Sequence, residues 1–109
     1  MSRKKGFIAE EKAVKFLKER GFTILNRNYY SQFGEIDIVA KNRNELHFIE
    51  VKSGKNPMQN MTEKKLFKIL KTSEIFLQKM EWSEIYRDIF IDLIAISENE
   101  IDFIENISF

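Results

Sequence analysis

Two stretches of the chain carry apolar residues at the spacing of an amphipathic helix. The first runs from about residue 4 to 20 and is ended by Gly21. The second runs from Thr62, a suitable N-cap, to about Met80. The positions predicted to face inward are Ala9, Ala13, Phe16 and Leu17 in the first helix and Leu66, Ile69, Leu70, Ser73, Phe76, Leu77 and Met80 in the second.

Five further runs are rich in the branched and aromatic residues that favour strands. Three follow the first helix, a fourth follows the second helix, and the fifth is a short edge strand near the end of the chain. The predicted ranges are 22–30, 35–41, 46–53, 89–96 and 101–107, with a loop at 54–60. The order αβββαβ(β) predicts an α/β protein with a mixed central sheet flanked by helices, built as a single domain over residues 1–109.

Charged residues interrupt the second and third predicted strands. Glu50 and Lys52 project to the same side, because side chains alternate along a strand. An antiparallel hairpin turning at residues 43–44 would place Asp37 opposite Glu50 and Glu35 opposite Lys52. Two carboxylates directly opposite each other are unfavourable unless a cation lies between them. The pattern therefore predicts a site for Mg²⁺ or Mn²⁺, which oxygen ligands suit.

Each charged residue of this predicted site has a chemical role. Asp37 and Glu50 hold the cation, which polarises a phosphate and lowers the pKa of a bound water. Lys52 orients that water or stabilises negative charge on the phosphate. Glu10 lies within the apolar face of the first helix, so it is either a third acid of the site, the partner of a nearby lysine or a cap of a neighbouring backbone segment. Glu35 either pairs with Lys52 or serves as an outer base. The alternative for the whole set is an ion-pair cluster on a half-exposed sheet face.

The charge of the chain is divided between its two parts. Residues 1–71 hold 16 Lys and Arg against 8 Asp and Glu, whereas residues 72–109 hold 2 against 9. Such asymmetry indicates a region that faces a polyanion, although the charges could equally cover solvent-exposed faces. Because the predicted metal site lies in the basic part, we expect nucleic acid, most simply DNA, as the partner.

Candidate phosphate contacts lie on the second predicted helix and at the end of the first predicted strand. Lys65 stands at the edge of the helix's apolar face, with Lys64 beside it. Arg27 begins a run with Asn28, Tyr29 and Tyr30 that can stack on or hydrogen-bond to nucleotides. Strand-end packing is the competing interpretation of that run.

Composition excludes several other classes of protein. The chain has no cysteine, which removes disulfides, thiol catalysis and cysteine-ligated zinc. His47 is the single histidine and is interpreted as structural, pointing away from the acidic face. Asp92, in the fourth predicted strand, either supports the site or pairs with a lysine. No apolar run approaches the roughly 20 residues needed to span a membrane, and the basic start lacks the apolar segment of a secretion signal. We therefore expect a soluble cytoplasmic protein.

Six segments of the sequence together form a recognisable series. They resemble the YraN-type family of small bacterial proteins over nearly the whole chain, and that family is placed in the restriction-endonuclease-like superfamily with its PD-(D/E)xK active site, alongside archaeal Holliday-junction resolvases. The segments are Gly6-x-x-Ala9-Glu10-x-x-Ala13, Gly21-Phe22-x-Ile24-Leu25-x-Arg27-Asn28, Gly34-Glu35-Ile36-Asp37-Ile38-Val39-Ala40, Phe48-Ile49-Glu50-Val51-Lys52, Met61-Thr62-x-x-Lys65 and Ile91-Asp92-Leu93-Ile94-Ala95.

The resemblance implies a restriction-endonuclease-like αβββαβ core. Asp37, Glu50 and Lys52 would occupy its catalytic motif, Glu10 would match the acid of the first helix, and Lys65 would match a lysine or glutamine on the following helix. It also implies a metal-dependent nuclease that hydrolyses DNA phosphodiester bonds, including those of branched or recombination and repair intermediates, and that can act as a homodimer. The alternative is a non-catalytic nucleic-acid-binding module that retains the nuclease fold.

The chain departs from the family pattern at two places. Ser53-Gly54 stands where the family has Thr-Arg, and Phe90-Ile91 stands where it has Arg-Phe. Both departures remove an arginine that would contact phosphate. Lys55 and Arg87 are the nearby cations expected to take over such contacts.

Overall fold

The computed structural model describes residues 3–56, 61–80, 86 and 88–107, with side chains from Gly6 onward. In these residues the chain forms two helices and five strands in the order that the sequence predicts. Part of the predicted 54–60 loop lies outside the described residues. The elements are α1 (Arg3–Glu19), β1 (Thr23–Ser31), β2 (Gly34–Asn42), β3 (Glu45–Ser53), α2 (Glu63–Gln78), β4 (Asp88–Ile96) and β5 (Ile101–Ile104).

The strands form one mixed sheet in the order β1-β2-β3-β4-β5. Neighbours are antiparallel except β3 and β4, which are parallel because the α2 segment returns the chain to the same end of the sheet. This confirms the predicted α/β architecture with a mixed central sheet. Neither helix in the described part of the chain is long and apolar enough to cross a membrane.

The two helices cover opposite faces of the sheet, and each builds its own apolar cluster with it. On β3, odd-numbered apolar residues face α1 and even-numbered ones face α2, as strand alternation requires. The buried members on the α1 side are Ala9, Ala13, Val14, Leu17, Phe22, Ile38, Ala40, Ile49, Ile94 and Ile96. Those on the α2 side are Ile36, Val39, Leu46, Phe48, Leu66, Ile69 and Ile91.

The end of α1 and the start of α2 lie where the sequence predicts them. Gly21 has φ +88°, and after it Phe22 N–H donates to the Leu17 carbonyl at 3.0 Å, while Gly21 N–H donates to Lys18 at 3.1 Å. These two bonds close α1 with a Schellman motif, for which glycine is the favoured residue. At the start of α2, Thr62 Oγ1 accepts from Lys65 N–H at 3.2 Å, as an N-cap does.

The last strand is shorter than predicted. β5 ends at Ile104, and the expected extension to residue 107 is wrong. Asn106 takes a positive φ of 57°, and its N–H donates to Asp92 Oδ1 at 2.9 Å. Ile107 N–H then donates to the Ile91 carbonyl at 2.8 Å. The bond to the Asp92 side chain of β4 therefore accompanies the end of the β4–β5 ladder. Because this contact joins residues that are distant in the sequence, no local sequence pattern could indicate it.

The β2–β3 hairpin has the predicted register. Its ladder joins residues 38–42 to residues 45–49, from the pair Ile38 and Ile49 to the pair Asn42 and Glu45. The turn consists of residues 43 and 44, with Arg43 at φ 54°. The register places Asp37 and Glu50 next to each other, just beyond the last ladder pair.

Candidate active site

Asp37 lies where the β2–β3 ladder ends. Its Oδ2 accepts a hydrogen bond from the backbone N–H of Val51 at 2.8 Å. The carboxylate therefore serves as the partner of a β3 backbone donor that a neighbouring strand would otherwise satisfy. This bond fixes the orientation of Asp37 relative to the end of β3, from which Glu50 and Lys52 project.

A second carboxylate, that of Glu50, lies within hydrogen-bonding reach of Asp37. Burial, followed by the hydrogen bond and the negative charge of Glu50, raises the pKa of Asp37 from 3.8 to about 8. The Val51 N–H and Glu35 act in the opposite direction with smaller effect. At neutral pH the Asp37–Glu50 pair therefore retains a proton, because two adjacent like charges in a partly dry site cannot both ionise at little cost.

Glu10 of α1 belongs to the same cluster. Its pKa is raised, first by burial and then by the negative charge of Asp37, against the lowering effects of Arg27 and Asn28. Asn28 Nδ2 donates to Glu10 Oε1 at 3.0 Å, and Arg27 Nη2 lies 3.4 Å from the same oxygen. Asn28 has φ 53°, a left-handed conformation that asparagine adopts more readily than most residues. The side chains of β1 thus hold Glu10 beside the sheet edge.

Glu35 lies beside Asp37 and Tyr30. Its pKa is raised by burial and by the hydrogen bond with Asp37, while a hydrogen bond from Tyr30 works to lower it. Tyr30 and Glu35 are directly paired in the β1–β2 ladder. The predicted ladder pair of Glu35 with Lys52 does not form, because the β2–β3 ladder ends at Ile38.

A basic pair borders the acids on the α2 side. The pKa of Lys65 is lowered by burial and then by the charge of Lys52, which lies within hydrogen-bonding distance, while Glu50 works to raise it. Lys65 reaches this position from the first turn of α2, where Thr62 caps the helix. Two ammonium groups side by side repel each other, and an anion such as phosphate between them would relieve that repulsion.

The other predicted phosphate contacts lie elsewhere. Arg27 Nη2 is 2.6 Å from Glu11 Oε1, so its guanidinium is directed towards acids of α1. Lys64 is exposed on α2. Lys55 is exposed on the loop after β3 and lines a separate groove of ≈ 680 Å³ next to Ser97 and Glu98. Arg87 lies outside the described residues, and the role of all these cations in nucleic-acid binding stays a prediction.

The acids fit a hard divalent cation by their chemistry. In the described part of the chain, no three histidine or acidic side chains converge tightly enough to hold a metal ion as they stand. Mg²⁺ needs only one or two protein carboxylates, since water and substrate phosphate complete its octahedron. Asp37 and Glu50 supply two carboxylate groups as oxygen donors, and a cation between them would relieve the repulsion that raises the pKa of Asp37. Glu10, held by β1 side chains, stays a prediction as the third ligand.

A cleft of ≈ 390 Å³ opens beside Glu10, Glu35 and Asp37. Two aromatic side chains also line it, Phe7 and Tyr30, whose exposed fractions are 62% and 69%. The sequence reasoning missed Phe7. Its only signal was its place one helical turn before Glu10, where i and i+3 residues are neighbours.

His47 and Asp92 form a buried pair away from the acids. Both are completely buried, and His47 Nδ1 lies 2.5 Å from Asp92 Oδ2, while Nε2 lies 3.0 Å from Glu45 Oε1. His47 also stacks on Phe90, with 4.7 Å between ring centroids. The structural interpretation of His47 fits this position. Asp92 pairs with histidine, so the sequence-based alternative of a lysine partner is wrong, whereas support of the site stays a prediction.

Comparisons with known proteins place relatives along nearly the whole chain. A family model described as "Uncharacterised protein family UPF0102" matches residues 9–96, which include all the acids of the site, Lys52 and Lys65. A UPF0102 protein of Campylobacter jejuni is 51% identical over 107 residues, covering 95% of this chain and 93% of its own length. A UPF0102 protein of Helicobacter pylori is 44% identical over 109 residues, covering 98% and 93%. One from Campylobacter fetus is 42% identical over 107 residues, covering 95% and 93%.

Proposed function

Since the chain belongs to the uncharacterised protein family UPF0102, the YraN-like family that its motifs resemble, we propose that it is a metal-dependent nuclease of the restriction-endonuclease-like superfamily. The substrate is DNA, including branched forms of the kind that arise in recombination and repair. The active site is the end of the β2–β3 hairpin, where Asp37 lies beside Glu50 and where Lys52 follows two residues later on β3.

The observation that carries this proposal is the Asp37–Glu50 pair. Burial and the adjacent Glu50 carboxyl raise the pKa of Asp37, and keeping two such carboxyl groups side by side costs folding free energy unless a cation lies between them. An ion-pair cluster, the competing interpretation, would instead lower the pKa of its carboxyl groups. The raised pKa values of Glu10 and Glu35 point the same way, because they too arise partly from the charge or hydrogen bond of Asp37.

In this proposal the residues divide the work of phosphodiester hydrolysis. Asp37 and Glu50 would hold the cation, and the bond from the Val51 N–H fixes the orientation of the Asp37 carboxylate. Mg²⁺ or Mn²⁺, when bound, supplies Lewis acidity that polarises the phosphate and lowers the pKa of a coordinated water. Lys52 donates to the phosphate oxygens as negative charge develops on them. Lys65 binds an adjacent phosphate oxygen and shares the charge with Lys52.

A non-catalytic nucleic-acid-binding module is the second candidate. It is favoured by the absence of two arginines of the family pattern. Their positions hold Gly54, which has a φ of 120°, and Phe90 in this chain. It is favoured too by Arg27, whose charge is already paired with Glu10 and Glu11. A site that keeps its acids but has fewer cations to stabilise the charge that develops on a phosphate would turn over slowly.

Cleavage assays separate the two candidates. Purified protein is incubated with linear duplex, single-stranded and branched DNA in Mg²⁺ or Mn²⁺. We expect at least one DNA form to be cut, and we expect Lys52→Met and Asp37→Asn to abolish cutting. Asp102→Asn, an exposed acid on β5, is the matched control and should cut like the wild type.

Two results would count against the nuclease proposal. One is the absence of cutting on every DNA form with either metal. The other is cutting that survives Asp37→Asn, since a contaminating nuclease would behave in this way. Salt-sensitive DNA binding that Asp37→Asn leaves intact, without any cutting, would support the binding module instead.

A further inference from the structure

Two exposed aromatic rings flank the acids of the proposed active site. Phe7 and Tyr30 line the same cleft as Glu10, Glu35 and Asp37, and their exposed fractions are 62% and 69%. A large ring that gains little from the core but lies at a concave polar site is typical of a ligand contact. The neighbouring Tyr29 shows the contrast, because it is partly buried and packs edge-on against Phe76 with 5.1 Å between ring centroids.

Each ring is tied to one of the acids. Phe7 lies one turn before Glu10 on α1, so the two side chains occupy adjacent positions on the helix surface. Tyr30 lies opposite Glu35 in the β1–β2 ladder, and its hydroxyl hydrogen-bonds to that carboxylate. The rings therefore come from two different elements, one helix and one strand, that border the same cleft. Such an arrangement presents two apolar ring faces in the cleft that Glu10, Glu35 and Asp37 also line.

The chemistry of the cleft indicates which class of ligand could contact the two aromatic rings. A nucleobase has an apolar π face and stacks on tyrosine and phenylalanine whatever its sequence. Bases in a duplex are already stacked on one another, so they reach such rings only when unpaired. The phosphates of the same strand carry the charge that the Lys52 and Lys65 pair attracts.

We propose that Phe7 and Tyr30 form a stacking site for unpaired nucleobases, so that the preferred substrate has single-stranded nucleotides at the acidic cleft. This inference rests on the proposed nuclease function and names the class of nucleic acid that the site takes. Flaps, gaps, junction arms with unpaired bases and free single strands all satisfy it. A fully paired duplex does not.

Binding measurements with and without bases test the stacking site. Three fluorescent probes of equal length are compared by anisotropy: oligothymidylate, the same backbone with abasic sugars, and a blunt duplex. Ca²⁺ replaces Mg²⁺ to neutralise the acids, and a gel verifies that the DNA stays intact. We expect the wild type to bind oligothymidylate about five-fold or more tightly than the abasic strand, the equivalent of about 1 kcal/mol of stacking.

Four variants assign that preference to the rings. Phe7→Ala and Tyr30→Ala should each remove most of the preference for bases and leave duplex binding unchanged. Tyr30→Phe should keep it, because it retains the ring and loses only the hydroxyl. Phe67→Ala is the matched control, since that ring is 55% exposed on α2 and is not among the residues that line the cleft. Circular dichroism checks that each variant is folded.

The outcomes distinguish this inference from the nuclease proposal. Equal affinity of the wild type for base-bearing and abasic strands would overturn the stacking site, even if the protein cuts DNA. An equal loss of base preference in Phe67→Ala would overturn it too. A base preference that depends on Phe7 and Tyr30 would uphold it, even if no DNA form is cut.

Discussion

Replacing Asp37 by asparagine should stabilise the folded protein at alkaline pH, although it removes a residue of the proposed active site. Asparagine keeps an oxygen that can accept the Val51 N–H, and its amide group can donate to Glu50. It removes the charge that burial and Glu50 make unfavourable. The variant therefore keeps the local geometry and relieves the electrostatic cost.

The magnitude and its pH dependence follow from the raised pKa of Asp37. The folded protein keeps the proton up to about pH 8, whereas the unfolded chain releases it near the ordinary pKa of 3.8. Between those two values the folded state binds more protons, so the free energy of unfolding of the wild type falls by about 1.4 kcal/mol per pH unit. From pH 5 to pH 8 this amounts to about 4 kcal/mol as an upper limit. Screening by water in the open cleft reduces the expected difference to about 2 kcal/mol.

Urea unfolding followed by circular dichroism at pH 5 and pH 8 measures this difference. We expect Asp37→Asn to gain about 2 kcal/mol on the wild type between pH 5 and pH 8. The titration of His47 occurs in both proteins and cancels. Asp102→Asn should show no such gain, because that acid is exposed. A stability difference that is the same at both pH values, or that favours the wild type at pH 8, would refute the reasoning.

Three further predictions concern other parts of the molecule. Asp92→Asn should cost about 3 kcal/mol of unfolding free energy at pH 6, because it leaves a buried partner uncompensated. Burial works to lower the pKa of His47, but Asp92 and Glu45 outweigh it and raise that pKa above its ordinary 6.5. The cost should therefore shrink as the pH rises through that raised pKa and the histidine loses its charge; a cost in urea unfolding that stays constant as the pH is raised would contradict this. Lys65→Met should reduce the slope of log Kd against log salt for DNA by about 0.7 to 0.9, as the loss of one phosphate contact does; an unchanged slope would remove Lys65 from the interface. Gly21→Ala should lower stability by about 1 kcal/mol in a thermal melt, since its φ of +88° is left-handed while no atom lies within 4 Å of the added Cβ; an unchanged melting temperature would show that the helix end relaxes.

The elements and the hairpin register could be predicted because they depend on local patterns. Helical and strand periodicities define α1 to β4 to within two residues of their observed ends. The register follows from the short turn at residues 43–44 and from keeping the apolar residues of both strands inside the sheet. For the same reason the sequence brings Asp37 and Glu50 together.

The remaining features depend on contacts between residues far apart in the chain. The bond from Val51 N–H to Asp37 and the His47–Asp92 pair join positions 14 and 45 residues apart. The ion pairs of Arg27 with Glu10 and Glu11 depend on how α1 lies across β1. Charge alone made Arg27 a candidate for phosphate, and only the packing of the helix shows that it already has partners. The exposure of Phe7 and Tyr30 likewise follows from packing, because an aromatic residue in a sequence is expected in the core.

A calorimetric titration with Mn²⁺ at pH 7 tests most directly whether the Asp37–Glu50 pair is a cation site. The wild type and the Asp102→Asn control should bind Mn²⁺ with release of the retained proton, which makes the measured heat depend on the ionisation enthalpy of the buffer. Asp37→Asn should show neither the binding nor the buffer dependence. Binding that survives in Asp37→Asn, or its absence from the folded wild type, would contradict the account.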